Sequence, residues 1–198
     1  MTDRPDLTAL IGSRICHDLI SPIGAIGNGV ELLIMDGGGK SPEVALIAES
    51  VASANARIRF FRVAFGAAGP EQRMARTEVA GILDDQFRGS RLSVVWQGPT
   101  EMARRQVKLV FLAIQCLETA MAFGGKIEVE GGETRWTLTG RATRMKIEPA
   151  IWEVLAHPSL RADISPAQVH FALLAQEAAA IKRRITTELR ETEVRLSF

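Results

Sequence analysis

The sequence predicts an α+β chain: an N-terminal antiparallel helical hairpin, a four-helix bundle in the dimer, followed by a C-terminal α/β sandwich. Three observations predict it. Apolar residues recur at spacings of three and four over residues 6–36 and again from 42 to about 66, the period of amphipathic helices. A glycine-rich stretch, DGGGKSPE (36–43), parts the two runs. Beyond residue 76, helical patterns mix with short runs of period two, as in a sheet covered on one face by helices.

In the first helix, Leu7, Leu10 and Ile11 lead into a stripe of Ile15, Leu19, Ile23, Ile26, Val30 and Leu33. Gly37, Gly38 and Gly39 end it. Ser41-Pro42-Glu43 opens the next helix with an N-cap, a proline at the first helical position and an acid in the first turn. That helix carries Val44, Ile47, Val51, Ala54, Ile58, Phe61 and Phe65. Two long helices joined by a short turn form an αα-hairpin. A single hairpin has little against which to bury its stripe, whereas two hairpins make a four-helix bundle, so a homodimer is expected. GAAGPEQ (66–72) reads as a linker between a hairpin domain, 1–68, and a second domain, 73–198.

In the second domain, residues 77–88 read as a helix and Leu92, Val94 and Trp96 mark a strand. Residues 103–123 form an amphipathic helix with Val107, Val110, Phe111, Ile114, Leu117 and Met121 on one face and Gly124 just past its end. KIEVEG (126–131) and TRWTLTG (134–140) are strands, and Trp152, Val154 and Leu155 mark a short helix. Ser165-Pro166-Ala167-Gln168 is a capping-box start for a helix to about 181, and RITTEL and EVRLSF close the sheet.

Composition removes several classes of function. Of 198 residues, 24 are basic and 23 acidic, without the basic excess of a nucleic-acid or membrane-surface binder. No unbroken apolar run approaches a span, so no membrane association is expected. Two cysteines, Cys16 and Cys116, are too few for a disulfide framework; they read as small buried hydrophobes in a reduced, cytoplasmic setting. GGGKS (37–41) resembles the end of a phosphate-binding loop, but Ile34 stands where that pattern needs glycine. His157, before Pro158, reads as a surface turn, and His170 as a packed or partly exposed helical residue. No histidine has a second ligand at metal spacing.

His17 is the informative residue. With Ile15, Leu19, Ile23 and Ile26 buried, it points away from the stripe together with Ser13, Arg14, Ser21, Gly24 and Asn28. An imidazole is substantially neutral near pH 7 and offers a ring nitrogen as nucleophile. Asp18 is placed to hold the other nitrogen, and Arg14, one turn earlier, to meet a phosphoryl group. Pro22 and three glycines follow within the helix. Their nominal cost, about 6 kcal/mol at ~1 per glycine and ~3 for the proline, is explained by a surface that another protein must reach.

The run His17-Asp18-Leu19-Ile20-Ser21-Pro22-Ile23 resembles the H-box of dimeric sensor histidine kinases. The resemblance implies that His17 is the phospho-acceptor, Asp18 its base or orienter and Ser21 a polar neighbour of the phosphoryl group. Residues 107–131 are similar to the asparagine-bearing helix and following strand of the kinase ATPase domain. Gln115 and Thr119 stand at the asparagine places, and TLTGRATRMKIEP and HFALLAQEAAAIKRR lack the glycine-bearing nucleotide boxes. A kinase-like hairpin with a degenerate ATPase-like domain resembles the ChpT-type histidine phosphotransferases of alphaproteobacterial cell-cycle phosphorelays.

That resemblance implies transfer between receiver-domain aspartates through His17, without ATP. The donor is the receiver domain of a hybrid histidine kinase. The acceptors are response-regulator receivers, CtrA-like and CpdR-like, which themselves supply Mg²⁺, so the chain carries no cofactor. Arg14, Ile20, Gly24, Asn28 and Glu31 are the expected docking set. Two other readings stand beside it: a divergent histidine kinase, which labels itself with ATP alone, and a non-catalytic dimeric adaptor of a response regulator.

Overall fold

The computed structural model describes residues 6–35, 42–132, 134–157 and 163–198. The GGGKS stretch and the N-cap expected at Ser41 lie outside the described residues. Helices α1 (Leu7–Met35) and α2 (Pro42–Ala64) form the expected hairpin. β1 (Arg73–Ala75) and β3 (Glu101–Ala103) pair as a small antiparallel ribbon, each running directly into a helix, α3 (Arg76–Phe87) and α4 (Arg104–Ala120). This ribbon is absent from the sequence reading because three residues are too short to show period two. The remaining elements are β2 (Leu92–Gln97), β4 (Gly125–Gly131), β5 (Trp136–Arg141), α5 (Pro149–Ala156), α6 (Val169–Ala180), β6 (Thr186–Leu189) and β7 (Glu193–Ser197).

The five-stranded sheet has the order β2-β4-β5-β7-β6, with β2 and β4 parallel and the other pairs antiparallel. Alternation decides its two faces. Ile127, Val129, Trp136, Leu138, Val194 and Leu196 are buried on the helix side. The opposite side carries cross-strand ion pairs, with Arg141 bound to Glu128 (2.5 Å) and Glu193 (2.9 Å). Gly124, with φ +93°, makes the turn from α4 into β4 that a residue with a side chain rarely adopts.

Helix α4 departs from expectation. It is apolar on one face by sequence, yet Leu109, Leu112, Ala113 and Cys116 on its other side are as buried as Val107 and Ile114. The sheet lies under it, and α2 and α6 lie beside it. Phe60 of α2 stacks on Phe111 at 4.8 Å, and the buried Lys108 ammonium meets Glu177 of α6 at 2.5 Å. Phe60, Phe61, Val63 and Ala64 share one continuous core with the second domain, and Leu7, Leu10, Ile11 and Ile15 pack against it. Arg104 donates to the carbonyl of Arg62 (2.7 Å), satisfying the C-terminal end of α2. The base of the hairpin is thus built into the second domain.

The apolar stripe of α1 divides in two. Pro22 and Gly29 are buried, with Ile15, Ile26 and Leu33 partly covered on the same side. Ile23 and Val30, expected in the buried stripe, are 59% and 40% exposed. The reason is the neighbour available: α2 covers only one side of α1, and a Cβ at Gly29 would lie 2.6 Å from Ile47 Cγ1. Gly29 therefore belongs to the helix seam, whereas a Cβ at Gly24 or Gly27 would meet nothing within 4 Å. This two-sided apolarity also makes α1 long and apolar enough, by length and composition, to cross a membrane. The sequence reading, which looked for an unbroken apolar run, did not register it, because polar residues interrupt a helix whose average is raised by isoleucines and leucines on two faces.

Gly29→Leu is expected to lower stability by about 1–3 kcal/mol through overpacking of the seam, whereas Gly24→Ala raises it by about 0.5–1 kcal/mol. Denaturant unfolding at fixed protein concentration measures both. Burial, with Arg14 nearby adding to the effect, pushes His170 down to about 3, below the ~6.5 of an unfolded histidine. Between those values the unfolded chain binds a proton that the native chain refuses, so stability falls as pH drops through that window, by at most ~1.4 kcal/mol per pH unit. His170→Gln is expected to flatten the loss between pH 6 and 4; equal slopes for both proteins would show that His170 does not carry it.

Candidate functional site

His17 lies three turns into α1, and its side chain is 85% exposed while that of Asp18 is 11% exposed. The Asp18 carboxylate faces two ways. Oδ1 is 3.1 Å from His17 Nδ1, and Oδ2 accepts from Arg14 Nε at 2.8 Å. A carboxylate at Nδ1 is satisfied by the tautomer with its hydrogen there, leaving the Nε2 lone pair free. Pro22 contributes no N–H, so it removes the helical bond that the Asp18 carbonyl would accept. The helix nevertheless runs unbroken through the proline.

The remaining site residues named by the sequence fall on two sides. Ile20, Ser21, Gly24, Asn28 and Glu31 are all exposed along the face that carries His17, at the offsets of three and four that align helical side chains. Arg14, expected to meet a docking partner, is turned inward and only 19% exposed. Its Nη1 donates to the carbonyl of Ala167 at 2.8 Å. Cys16 is exposed rather than buried, and Cys116 is buried as expected.

The structure adds residues that sequence reasoning missed. Glu118 of α4 sits against the hairpin. Burial pushes its carboxyl up, Arg14 and Arg57 oppose the rise, and Asp18 adds to it. Close by, His170 Nε2 lies 3.0 Å from the Thr119 hydroxyl, which also meets the Gln115 carbonyl at 3.0 Å. His170 Nδ1 and both amide atoms of Gln115 are buried and have no hydrogen-bond partner among the described residues. A cavity of about 30 Å³, lined by Thr119, Trp152, Gln168 and Phe171 among others, has room for a water molecule or two. No local signal joins Arg14 to Ala167 or Glu118, because those contacts bridge most of the chain. Among the described residues no three His, Cys, Asp or Glu side chains are grouped to hold a metal ion.

The geometry can be set beside known proteins. Residues 76–193 match the family model of the histidine phosphotransferase C-terminal domain. The chain is 36% identical over 185 residues to protein phosphotransferase ChpT of Brucella abortus (strain 2308), an alignment covering 89% of this chain and 88% of that protein. A solved bacterial phosphotransferase superposes with a TM-score of 0.81 at 30% identity, covering 100% of this chain and 97% of the other. Acinetobacter baumannii histidine kinase AdeS is a more distant match, with a TM-score of 0.45 at 15% identity, covering 91% and 95%. The family model, the Brucella protein and the solved phosphotransferase together place the chain in the histidine phosphotransferase family.

Proposed function

We propose that this phosphotransferase shuttles a phosphoryl group between receiver-domain aspartates in a two-component phosphorelay, with His17 as the carrier. The observation that carries the reading is an exposed imidazole whose Nδ1 is engaged by a covered carboxylate. Nε2 attacks the phosphorus of an aspartyl phosphate. The N–P bond forms as the P–O bond to the donor aspartate breaks, and that oxygen leaves as carboxylate. Nδ1 keeps its hydrogen, so the ring becomes cationic beside Asp18, which stabilises it. An acceptor aspartate then attacks the same phosphorus, and the N–P electron pair returns to Nε2.

The donor is the receiver of a hybrid histidine kinase, and the acceptors are CtrA-like and CpdR-like receivers in the cytoplasm. Mg²⁺ comes with the receiver. Receivers dock on the exposed face of Ile20, Ser21, Gly24, Asn28 and Glu31, where Gly24, without a side chain, lets another backbone approach. Transfer without ATP is supported by the surroundings of α4. Gln115 is buried, Thr119 meets the buried His170, and Thr119, Trp152 and Phe171 line a cavity of only about 30 Å³.

The chain acts as a homodimer. Ile23, Val30 and Ile34 on α1 and Val44, Val51 and Ile58 on α2 are large, apolar and exposed. Those of α2 recur every seven residues, the spacing of a bundle seam. A second hairpin supplies the cover that one chain lacks.

Incubation with a radiolabelled phospho-receiver is expected to leave acid-labile phosphate on the wild type and none on His17→Ala, with the dimer intact. Label on His17→Ala, or label from ATP alone, would overturn the reading. Light scattering at micromolar concentration is expected to give the mass of two chains and to shift toward one for Ile23→Asp. A wild-type monomer would remove the bundle.

A further inference from the structure

We infer that Arg14 is a positioning residue for phosphoryl transfer, holding the Asp18 carboxylate against His17 by tying it to the Ala167 carbonyl of the second domain. The inference rests on His17 being the phosphoryl carrier.

Three bonds in series carry it. His17 Nδ1 and Asp18 Oδ1 are 3.1 Å apart, Arg14 Nε and Asp18 Oδ2 are 2.8 Å apart, and Arg14 Nη1 and the Ala167 oxygen are 2.8 Å apart. A guanidinium is a rigid planar fork, so the bond to Ala167 sets its plane and with it the direction offered to Asp18. The Ala167 carbonyl is itself fixed. It lies in the 3₁₀ turn Pro166–Gln168. Gln168 bonds back to Ser165 (2.8 Å) and across to Glu148 at the start of α5 (2.8 Å). An arginine one turn before an aspartate on a bare helix would be a loose surface pair of little consequence. This one is mostly covered, whereas His17 is open.

Glu118 gives the arrangement a second purpose. Arg14 attracts its carboxylate and Asp18 repels it. Arg14 therefore stands with two acidic groups, and its loss would leave Arg57 alone to offset Glu118 and nothing bonded to the second oxygen of Asp18. The carboxylate would then be free to turn from Nδ1. The second domain, on this reading, contributes to transfer by setting one oxygen beside the acceptor ring.

The test is single-turnover transfer from a phospho-receiver at increasing receiver concentration, on the full-length dimer. For Arg14→Ala the maximal rate is expected to fall about tenfold or more, the scale of a misplaced catalytic group, with the half-saturating concentration unchanged. In an Asp18→Ala background the same substitution is expected to cost less than twofold, because its effect runs through Asp18. Arg14→Lys, which keeps a charge but lacks the fork, is expected to fall between. If Asp18→Ala transfers too slowly to time, the ¹⁵N shifts of the His17 ring decide: Arg14→Ala moves them toward those of Asp18→Ala. A raised half-saturating concentration at unchanged maximal rate, additive losses with Asp18→Ala, or unmoved ring shifts would overturn the proposal. Phosphate accepted by His17→Ala overturns the underlying reading instead, whatever Arg14 does.

Discussion

The burial of α4 on all sides is the constraint on which the rest of the molecule depends. A helix with Val107, Leu112, Ala113 and Leu117 all at 0% exposure needs partners around its whole circumference, and the chain supplies them from distant segments. The sheet supports one side, α6 another, and the base of α2 a third. Because Phe60 stacks on Phe111, the hairpin is not tethered by a flexible linker but grows out of the same core. The small β1–β3 ribbon brings the start of α3 to the start of α4, so the segment between hairpin and domain is itself part of the framework. Deep burial of Lys108 is tolerated because Glu177 answers its charge.

This construction places His17 at a boundary. Below His17, α1 rests on the second domain through Leu7, Leu10, Ile11 and Ile15. Above it, the hairpin presents apolar side chains that its own chain does not cover. The imidazole is therefore mounted where the scaffold is rigid on one side and open on the other. That suits a reaction in which positioning and electrostatics supply most of the catalysis and the reacting phosphorus arrives on another protein. The proline and glycines have separate tasks within the same few turns: Pro22 and Gly29 face the seam, whereas Gly24 and Gly27 leave the outer face free of side chains.

The electrostatics of the junction follow from its burial. Glu118 and His170 both sit where charge is costly, and each is driven toward its neutral form. Arg14 acts on both, favouring an ionised Glu118 and disfavouring a protonated His170. Arg14 holds one oxygen of Asp18, and the other oxygen of the same carboxylate meets the exposed ring. Thr119 joins this packing, bonding both the Gln115 carbonyl and His170 of α6.

Local chemistry was enough to determine the helices, most of the strands and the His17–Asp18 pair. Helical period, caps and turn residues act over a few positions, and each is written in consecutive residues. The exposed face of Ile20, Ser21, Gly24, Asn28 and Glu31 was legible for the same reason: once α1 is a helix, those offsets align whatever else the chain does. Tertiary structure alone decided which apolar residues α2 covers, leaving Ile23 and Val30 outside the seam. It turned Arg14 inward to a carbonyl 153 residues away, exposed Cys16, and enclosed the second side of α4. These outcomes depend on which distant segments come to lie alongside, and a periodic pattern specifies how wide an apolar surface is without naming the surface that will cover it.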